Sequence, residues 1–163
     1  MKEITDKNEI LEKVRRCACS FKNVSEDLRD DMEFVKEVLK IDGSALRYVS
    51  GRLRDNEEIV KIAVKTNGWA LQSVGEKFKN NREIVWEAVK TCGEALQFTG
   101  EKFKNDIELV LEAVWQNGKA LRFAGEEFRK DIKAMKKALL YLKIQTLCGQ
   151  LRKQEYEENA KGY

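Results

Sequence analysis

The stretch NGWALQSVGEKFKNN at residues 67–81 decides the fold, because the chain repeats it twice more with small changes. The later copies read CGEALQFTGEKFKND at residues 92–106 and NGKALRFAGEEFRKD at residues 117–131, so each begins 25 residues after the one before. A fixed period of this size is typical of a repeat array and not of a single irregular core.

The same register continues on both sides of these copies. A glycine followed by x-Ala-Leu recurs every 25 residues, at Gly43, Gly68, Gly93 and Gly118. A more divergent copy precedes them at residues 18–42, which gives five units over residues 18–142. We expect one helical-repeat domain over residues 1–163, in which residues 1–17 form an N-terminal helix and residues 143–163 form a C-terminal cap helix and tail.

Each unit contains two helical patterns, of which the second is the clearer. Its apolar residues fall at i, i+1, i+4 and i+5 and form one helix face, as in Ile59, Val60, Ala63 and Val64. An Asp or Asn with Glu three residues later predicts the N-cap of this helix. These pairs are Asp6/Glu9, Asp30/Glu33, Asp55/Glu58, Asn80/Glu83 and Asn105/Glu108. The glycine that follows is expected to end the helix in the left-handed conformation.

Helices of roughly 8 and 12 residues are too short to be stable alone in water. Each hairpin must therefore bury its apolar face on the next hairpin. The sequence predicts an all-α fold of stacked two-helix hairpins, which is an α-solenoid with a 25-residue period, about five units and terminal helices.

The repeated pattern G-x-A-L-Q-F-x-G/S-E-x-F-K-N-D-x-E-x-V-x-x-A-V-x-x-N-G resembles a known family. This is the tandem-repeat family catalogued as domain of unknown function 4116. The likeness covers residues 18–142 and is strongest over residues 43–131. The resemblance implies helical repeats, and it implies no activity, ligand or catalytic residue.

Composition excludes several kinds of chemistry. The 163 residues include no histidine, which excludes His-based acid–base catalysis, Ser/His or Cys/His pairs and His metal sites. The glycines mark the repeat and never form G-x-G-x-x-G, and most carboxylates are assigned to caps or surface pairs. We expect no catalytic residue, no cofactor and no enzyme activity, with an uncharacterised enzyme as the alternative.

The four cysteines are Cys17, Cys19, Cys92 and Cys148. Without histidine or a CxxC pair they predict no zinc site. Cys17 and Cys92 occupy equivalent positions three units apart, which is too far for a disulfide, so we expect four reduced thiols. The charged start and the lack of an apolar run of about 20 residues predict a cytoplasmic protein without a membrane contact.

One position of the repeat is basic in all five units. This basic column consists of Arg29, Arg54, Lys79, Lys104 and Arg129. It could bind successive phosphates of a nucleic acid or an acidic peptide. Alternatively, it could form i,i+3 ion pairs with the acidic residues of the same units, which are Glu26, Glu76, Glu101 and Glu126. The chain as a whole is nearly balanced, with a net charge of +3, and the net charge of the single units changes sign along the array. Both properties argue against nucleic-acid binding. Weak binding of nucleic acid or an acidic partner through this column stays as an alternative.

The fifth unit carries its own basic cluster. Its members are Lys130, Lys133, Lys136 and Lys137. Such a cluster fits either an acidic-partner patch or a solvated helix face, and charge runs more often face water.

Two columns of the second helix change from lysine to apolar residues. They read Lys36, Lys61, Trp86, Leu111, Lys136 and Lys40, Lys65, Lys90, Trp115, Leu140. Both are expected to point away from the core, so Trp86, Leu111, Trp115 and Leu140 form a predicted stripe of exposed apolar side chains. The stripe predicts a protein–protein interaction scaffold, whose partner is an unknown protein or a second copy. The alternative is that the tail beyond Leu140 covers the stripe.

Overall fold

The computed structural model describes the backbone of residues 6–160 and the side chains of residues 6–147. All regular elements in this part are helices, and they recur with the period of the sequence. The long helices are α1 (Lys7–Arg16), α3 (Met32–Ile41), α5 (Glu57–Thr66), α7 (Arg82–Thr91), α9 (Ile107–Gln116) and α11 (Ile132–Ala160).

The first predicted helix of each unit is in fact two short helices. A 3₁₀ helix comes first, and these are η1 (Ala18–Asn23), η2 (Gly43–Tyr48), η3 (Gly68–Ser73), η4 (Gly93–Phe98) and η5 (Gly118–Phe123). One α-helical turn follows, and these are α2 (Glu26–Arg29), α4 (Gly51–Arg54), α6 (Glu76–Lys79), α8 (Glu101–Lys104) and α10 (Glu126–Lys130).

Successive units stack in register. Each long helix from α3 to α9 packs against the next long helix, and each 3₁₀ helix packs against the next 3₁₀ helix. The apolar faces between them form one continuous core along the array. The predicted all-α repeat solenoid is confirmed.

The N-caps of the long helices form a column of Asp and Asn one residue after four of the predicted positions. They are Asp6, Asp31, Asn56, Asn81 and Asp106, and each side chain accepts from N–H groups of the first turn. Asp131 does the same in α11. The prediction is therefore correct at Asp6 and wrong at the others, because two cap-forming residues stand side by side in units one to four.

At two junctions, the residue before the long-helix cap helps to join two units. Asn105 follows α8, and its Oδ1 accepts from the N–H groups of Glu127 and Phe128 in α10, at 3.1 and 3.2 Å. Asp30 likewise accepts from the Ser50 hydroxyl at the start of α4. Asn105 therefore caps the short helix of the next unit, and Asp30 holds the start of the next short helix through Ser50, which couples the geometry of the units at these two junctions.

The repeated glycines do not adopt the left-handed conformation. No glycine in the described part has a positive φ. The long helices end instead at extended residues such as Asp42 and Asn67, whose side chains accept the N–H two residues later. The glycine serves close packing, because a Cβ at Gly43 would overlap the carbonyl oxygen of Ala63 in the next long helix. Equivalent pairs are Gly68–Ala88 and Gly93–Ala113.

Helix α11 continues past the end of the fifth unit. It runs from Ile132 to Ala160 without a break, so residues 143–160 prolong the last repeat helix instead of forming a separate cap helix. Leu142 lies against Gly118, at the place where the other glycines meet a following helix backbone.

Two cysteines differ from expectation. Cys17 and Cys19 are joined as a disulfide with their Cα atoms 5.2 Å apart, so the prediction of reduced thiols is wrong for this pair. The cause is local. Cys17 occupies the position equivalent to Asp42 and has the same extended backbone, so its side chain turns towards the residue two positions later. Its Sγ accepts from the Cys19 N–H, with 3.3 Å between sulfur and nitrogen. Cys92 is a free, half-buried thiol, and the side chain of Cys148 lies outside the described part.

Candidate functional site

The basic column is used mostly within its own units. Lys79 and Lys104 bind Glu76 and Glu101 at 2.9 and 2.6 Å, which are the predicted i,i+3 pairs. The arginines at the two ends of the column donate to carbonyl groups instead, Arg29 to Val24 at 3.1 Å and Arg129 to Arg122 at 2.7 Å. The Nε of Arg54 is buried without a partner among the described residues.

The lysines at the first of the two switched columns bridge successive long helices. Lys36 binds Glu58 of α5 at 2.9 Å, and Lys61 binds Glu83 of α7 at 3.0 Å. Lys36 donates to Glu58 and to Glu33 of its own helix, and Lys61 donates to Glu57 of its own helix and to Glu83, and these hydrogen bonds raise the pKa of both lysines. The column therefore lies along the seam between long helices, and not in open solvent as expected. We call these inter-helix pairs the lysine seam.

The lysine seam is interrupted at α7. Trp86 takes the lysine position, and Glu108 of α9, which matches the seam carboxylates, binds Arg82 at 3.2 Å instead. Arg82 also pairs with Asp106 and lies over the indole of Trp86, 5.6 Å from the ring centroid. Its pKa is raised, chiefly by the hydrogen bond to Asp106. Beyond Trp86, the same side of the long helices is apolar instead of charged.

A groove of about 810 Å³ opens where the seam is interrupted, along α7, α9 and α11. Its apolar lining consists of Trp86, Ile107, Leu111, Trp115, Tyr141 and Ile144. We call this surface the indole groove. Leu111 is 7% exposed, whereas Trp115 is 46% exposed, so the groove has a buried floor and an accessible indole at its edge.

Three residues of the predicted stripe lie together in the indole groove. Leu140 does not, because it projects from α11 outside the groove and is 55% exposed. Its neighbour Tyr141 lines the groove instead, with its ring 5.2 Å from the Trp115 ring in an edge-to-face contact. Leu111 also differs from expectation, because it is buried.

Three lining residues were not part of the predicted stripe. Tyr141 and Ile144 were expected only in the tail that could fold back over the stripe, and the unbroken α11 brings them beside α9. Ile107 had a usable signal, because its column changes from Glu57 and Arg82 to isoleucine at Ile107 and Ile132.

Helix α11 lines the indole groove without closing it. The Gln145 amide donates to the backbone carbonyl groups of Val114, at 3.3 Å, and Trp115, which fixes α11 against the end of α9. Trp115 nevertheless keeps almost half of its surface exposed. Within the described side chains, the tail therefore forms one wall of the groove.

The rim of the indole groove is mainly acidic. Glu108 and Glu112 stand on α9, and Lys137 stands on α11 over the Tyr141 ring at 5.9 Å. A second hollow of about 510 Å³ continues past Trp86 and adds Glu83, Glu87 and Arg82 to the border. Four carboxylates and two cations thus surround the two hollows. Arg82 binds Glu108 and Asp106, and the lysines next to the hollows bind two further carboxylates, Lys61 to Glu83 and Lys90 to Glu87.

Two other properties concern the described part of the chain. It contains no group of three His, Cys, Asp or Glu side chains arranged to hold a metal ion. None of its helices combines the length and apolar character required to cross a bilayer.

Comparison with known proteins agrees with the repeat geometry. The sequence profile described as "Domain of unknown function (DUF4116)" matches four overlapping windows, at residues 6–54, 31–79, 56–104 and 81–129. Each window spans about two periods, beginning at a long-helix N-cap and ending at the end of a short helix. No curated protein and no solved structure matches the chain. The chain belongs to the DUF4116 family of helical repeats.

Proposed function

We propose that the protein is a non-enzymatic binding module that holds an apolar segment of a partner protein in the indole groove. The observation that carries the proposal is the replacement of the lysine seam by a groove with a buried leucine floor and an accessible tryptophan. Tryptophan in an apolar depression is a frequent centre of binding energy at interfaces. Stacked repeats also provide the extended surface that such binding uses.

The rim indicates the chemistry of this partner. Glu83, Glu87, Glu108 and Glu112 border the two hollows, against Arg82 and Lys137. Complementary charge favours the correct partner and speeds its encounter. The proposed ligand is therefore an amphipathic segment whose apolar face is flanked by lysine or arginine.

The basic column gives little support to the alternatives of nucleic-acid binding or acidic-partner binding. Lys79 and Lys104 are paired within their own units, and Arg29 donates to a backbone carbonyl. Such local pairs leave few free cations for a run of phosphates, whose binding would depend on several uncompensated charges.

The test uses two labelled amphipathic helical peptides of about 20 residues, identical in their leucine face. One carries lysine flanks and the other glutamate flanks. We expect the lysine peptide to bind the wild-type chain, and the variant Trp86→Lys/Trp115→Lys to bind it at least about tenfold more weakly by fluorescence anisotropy. Both substitutions introduce the residue that other units carry in these columns, so the fold should be kept.

Two control variants make the result specific. Trp69 is 41% exposed and makes a similar edge-to-face contact with Phe98 at 5.4 Å, but it lies outside the groove, and lysine already occupies its column at Lys119. Trp69→Lys should therefore bind normally. Trp115→Gln should weaken binding without adding charge. Equal binding of the lysine peptide by wild type and Trp86→Lys/Trp115→Lys would disprove the proposal.

A further inference from the structure

The two sides of each long helix can be assigned to the following and the preceding unit. Among the described residues, α1 packs against a following unit and no preceding one, and the residues it buries are Ile10 and Val14, each 1% exposed. The equivalent residues of the next four long helices are fully buried. They are Val35, Leu39, Val60, Val64, Val85, Val89, Val110 and Val114. These two columns therefore form the surface on which the next unit stacks.

The same two columns are open on α11. Met135 is only half-buried, and Leu139, which stands where the other units have a buried Leu or Val, is 53% exposed. Ile132 beside them is 70% exposed. The columns of α11 that face the preceding unit are buried as in the other units, since Ala134 and Ala138 are 5% and 0% exposed. The open side of α11 is thus a stacking surface that no other described residue covers.

The first helix of the array does not have such an open surface. The columns that face a preceding unit hold Phe34 and Val38 in α3, both buried. In α1 the equivalent residues are Glu9, which is exposed, and Lys13, which is partly exposed, and they bind each other. Polar outer faces of this kind are typical of capping repeats. Within the described part of the chain, the outer face of α1 is therefore polar, whereas that of α11 is apolar.

The open end also presents unpaired positive charge. Lys136 stands in the column of Lys36 and Lys61, which bind glutamates of the following long helix. Lys133, Lys136 and Lys143 form no ion pair with any described residue, and residues 132–147 include no Asp or Glu. The lysine of the seam is present on α11, while the carboxylate that it binds elsewhere has no counterpart.

We propose that the outer face of α11, formed by Ile132, Met135, Lys136, Leu139 and Lys143, binds an acidic amphipathic helix of another protein. This helix takes the place of a next long helix, with its apolar side on Met135 and Leu139 and a carboxylate on Lys136. Charge disfavours a second copy, because two such faces would oppose lysine to lysine, and α1 of another copy would offer only Glu9 and Lys13.

The experiment uses the full chain and the same two peptides, with glutamate or lysine flanks. We expect the glutamate peptide to bind the wild-type chain in a salt-dependent way, and Leu139→Ser to weaken this binding at least about tenfold. Lys136→Glu should weaken binding of the glutamate peptide. Lys90→Glu reverses an exposed lysine of α7 and serves as the matched control, with unchanged binding. Far-UV circular dichroism checks that each variant keeps its helices.

The outcomes separate this face from the indole groove. Trp115→Gln should reduce binding of the lysine peptide and leave the glutamate peptide unaffected, whereas Leu139→Ser should do the reverse. The inference is overturned if the glutamate peptide does not bind, if it binds Leu139→Ser as well as wild type, or if both peptides bind the outer face equally. It is also overturned if light scattering shows a dimer that Leu139→Ser converts to a monomer, because a second copy is then the occupant.

Discussion

At the scale of single residues, the spacing between neighbouring units determines where glycine is required. Gly43, Gly68 and Gly93 each begin a 3₁₀ helix at a point where the next long helix passes with its backbone exposed to contact. The regular spacing of glycine along the sequence thus reports a close approach of two segments, and the conformation of the glycine itself is one that any residue could adopt.

Substitution of Gly68 by alanine should destabilise the protein strongly for this reason. The added Cβ would overlap the carbonyl oxygen of Ala88, and helix backbone cannot move aside as a flexible side chain can. We expect a loss of about 1–3 kcal/mol, as for other overpacked sites, measured by urea unfolding. The matched variant is Gly51→Ala in α4, where nothing lies within 4 Å of the new Cβ. It should be neutral or stabilising by about 0.5–1 kcal/mol, and equal losses in the two variants would contradict this explanation.

At the scale of elements, hydrophobic periodicity was a sufficient guide to the long helices but not to their connections. The i, i+1, i+4, i+5 pattern identified α5, whose predicted face Ile59, Val60, Ala63 and Val64 is fully buried. The caps were displaced by one residue because adjacent Asp and Asn residues are both able to cap a helix. Only the three-dimensional stack shows that the second caps its own helix and that the first, as at Asp30 and Asn105, serves the following unit.

Half of the apolar residues that line the indole groove could be predicted from the repeat pattern. Comparison of equivalent positions located Trp86, Leu111 and Trp115, since regular stacking makes them spatial neighbours. It failed on α11, where the helix continues beyond the repeat length and brings Tyr141 and Ile144 to the groove in place of Leu140. A pattern derived from repeated units contains no information on a segment that leaves the repeat.

The contact between α1 and α3 should make stability depend on pH. Lys7 donates to Asp31 at 2.7 Å, and together with the backbone N–H of Phe34 it lowers the Asp31 pKa from its ordinary value of 3.8. A carboxylate with a lowered pKa stabilises the fold above its unfolded pKa, and this stabilisation is lost as pH falls through the folded pKa. Wild type should therefore exceed Asp31→Asn in stability at about pH 6, and the difference should shrink towards about pH 2.

Asn is a suitable replacement at this position because it can still cap α3. The exposed Asp27 of α2 has no ion pair among the described residues, so Asp27→Asn serves as the control and should show a smaller pH-dependent difference. Urea unfolding at several pH values provides the measurement. A difference between wild type and Asp31→Asn that does not change with pH would show that the Lys7–Asp31 pair contributes nothing.

At the scale of the whole molecule, stability should be distributed unevenly along the array. Interior units such as those containing α5 and α7 are covered by a neighbour on both sides, whereas among the described residues α1 and α11 have a neighbouring long helix on one side only. In repeat proteins each unit depends on its own interactions and those with its nearest neighbours. Opening therefore costs least at the two ends.

Native-state hydrogen exchange should reveal this gradient. Backbone amides in α7 are expected to exchange at least about tenfold more slowly than equivalent amides in α1 and in the first turns of α11. A bound helix on the outer face of α11 should slow exchange there and leave α1 unchanged. Uniform protection from α1 to α11 would instead indicate that the array opens as one cooperative unit.

The contacts between successive short helices have a consequence for how such a chain changes in length. Besides the side-chain contacts of Asn105 and Asp30, three junctions share one backbone hydrogen bond, in which the N–H groups of Ser50, Gly100 and Gly125 donate to the carbonyl groups of Arg29, Lys79 and Lys104. Duplication or deletion of a full 25-residue block keeps these donors and acceptors in register, whereas an insertion of any other length moves one short helix away from its acceptor. Recombination between copies in a gene can therefore lengthen or shorten the protein in whole steps while every remaining layer keeps its fit.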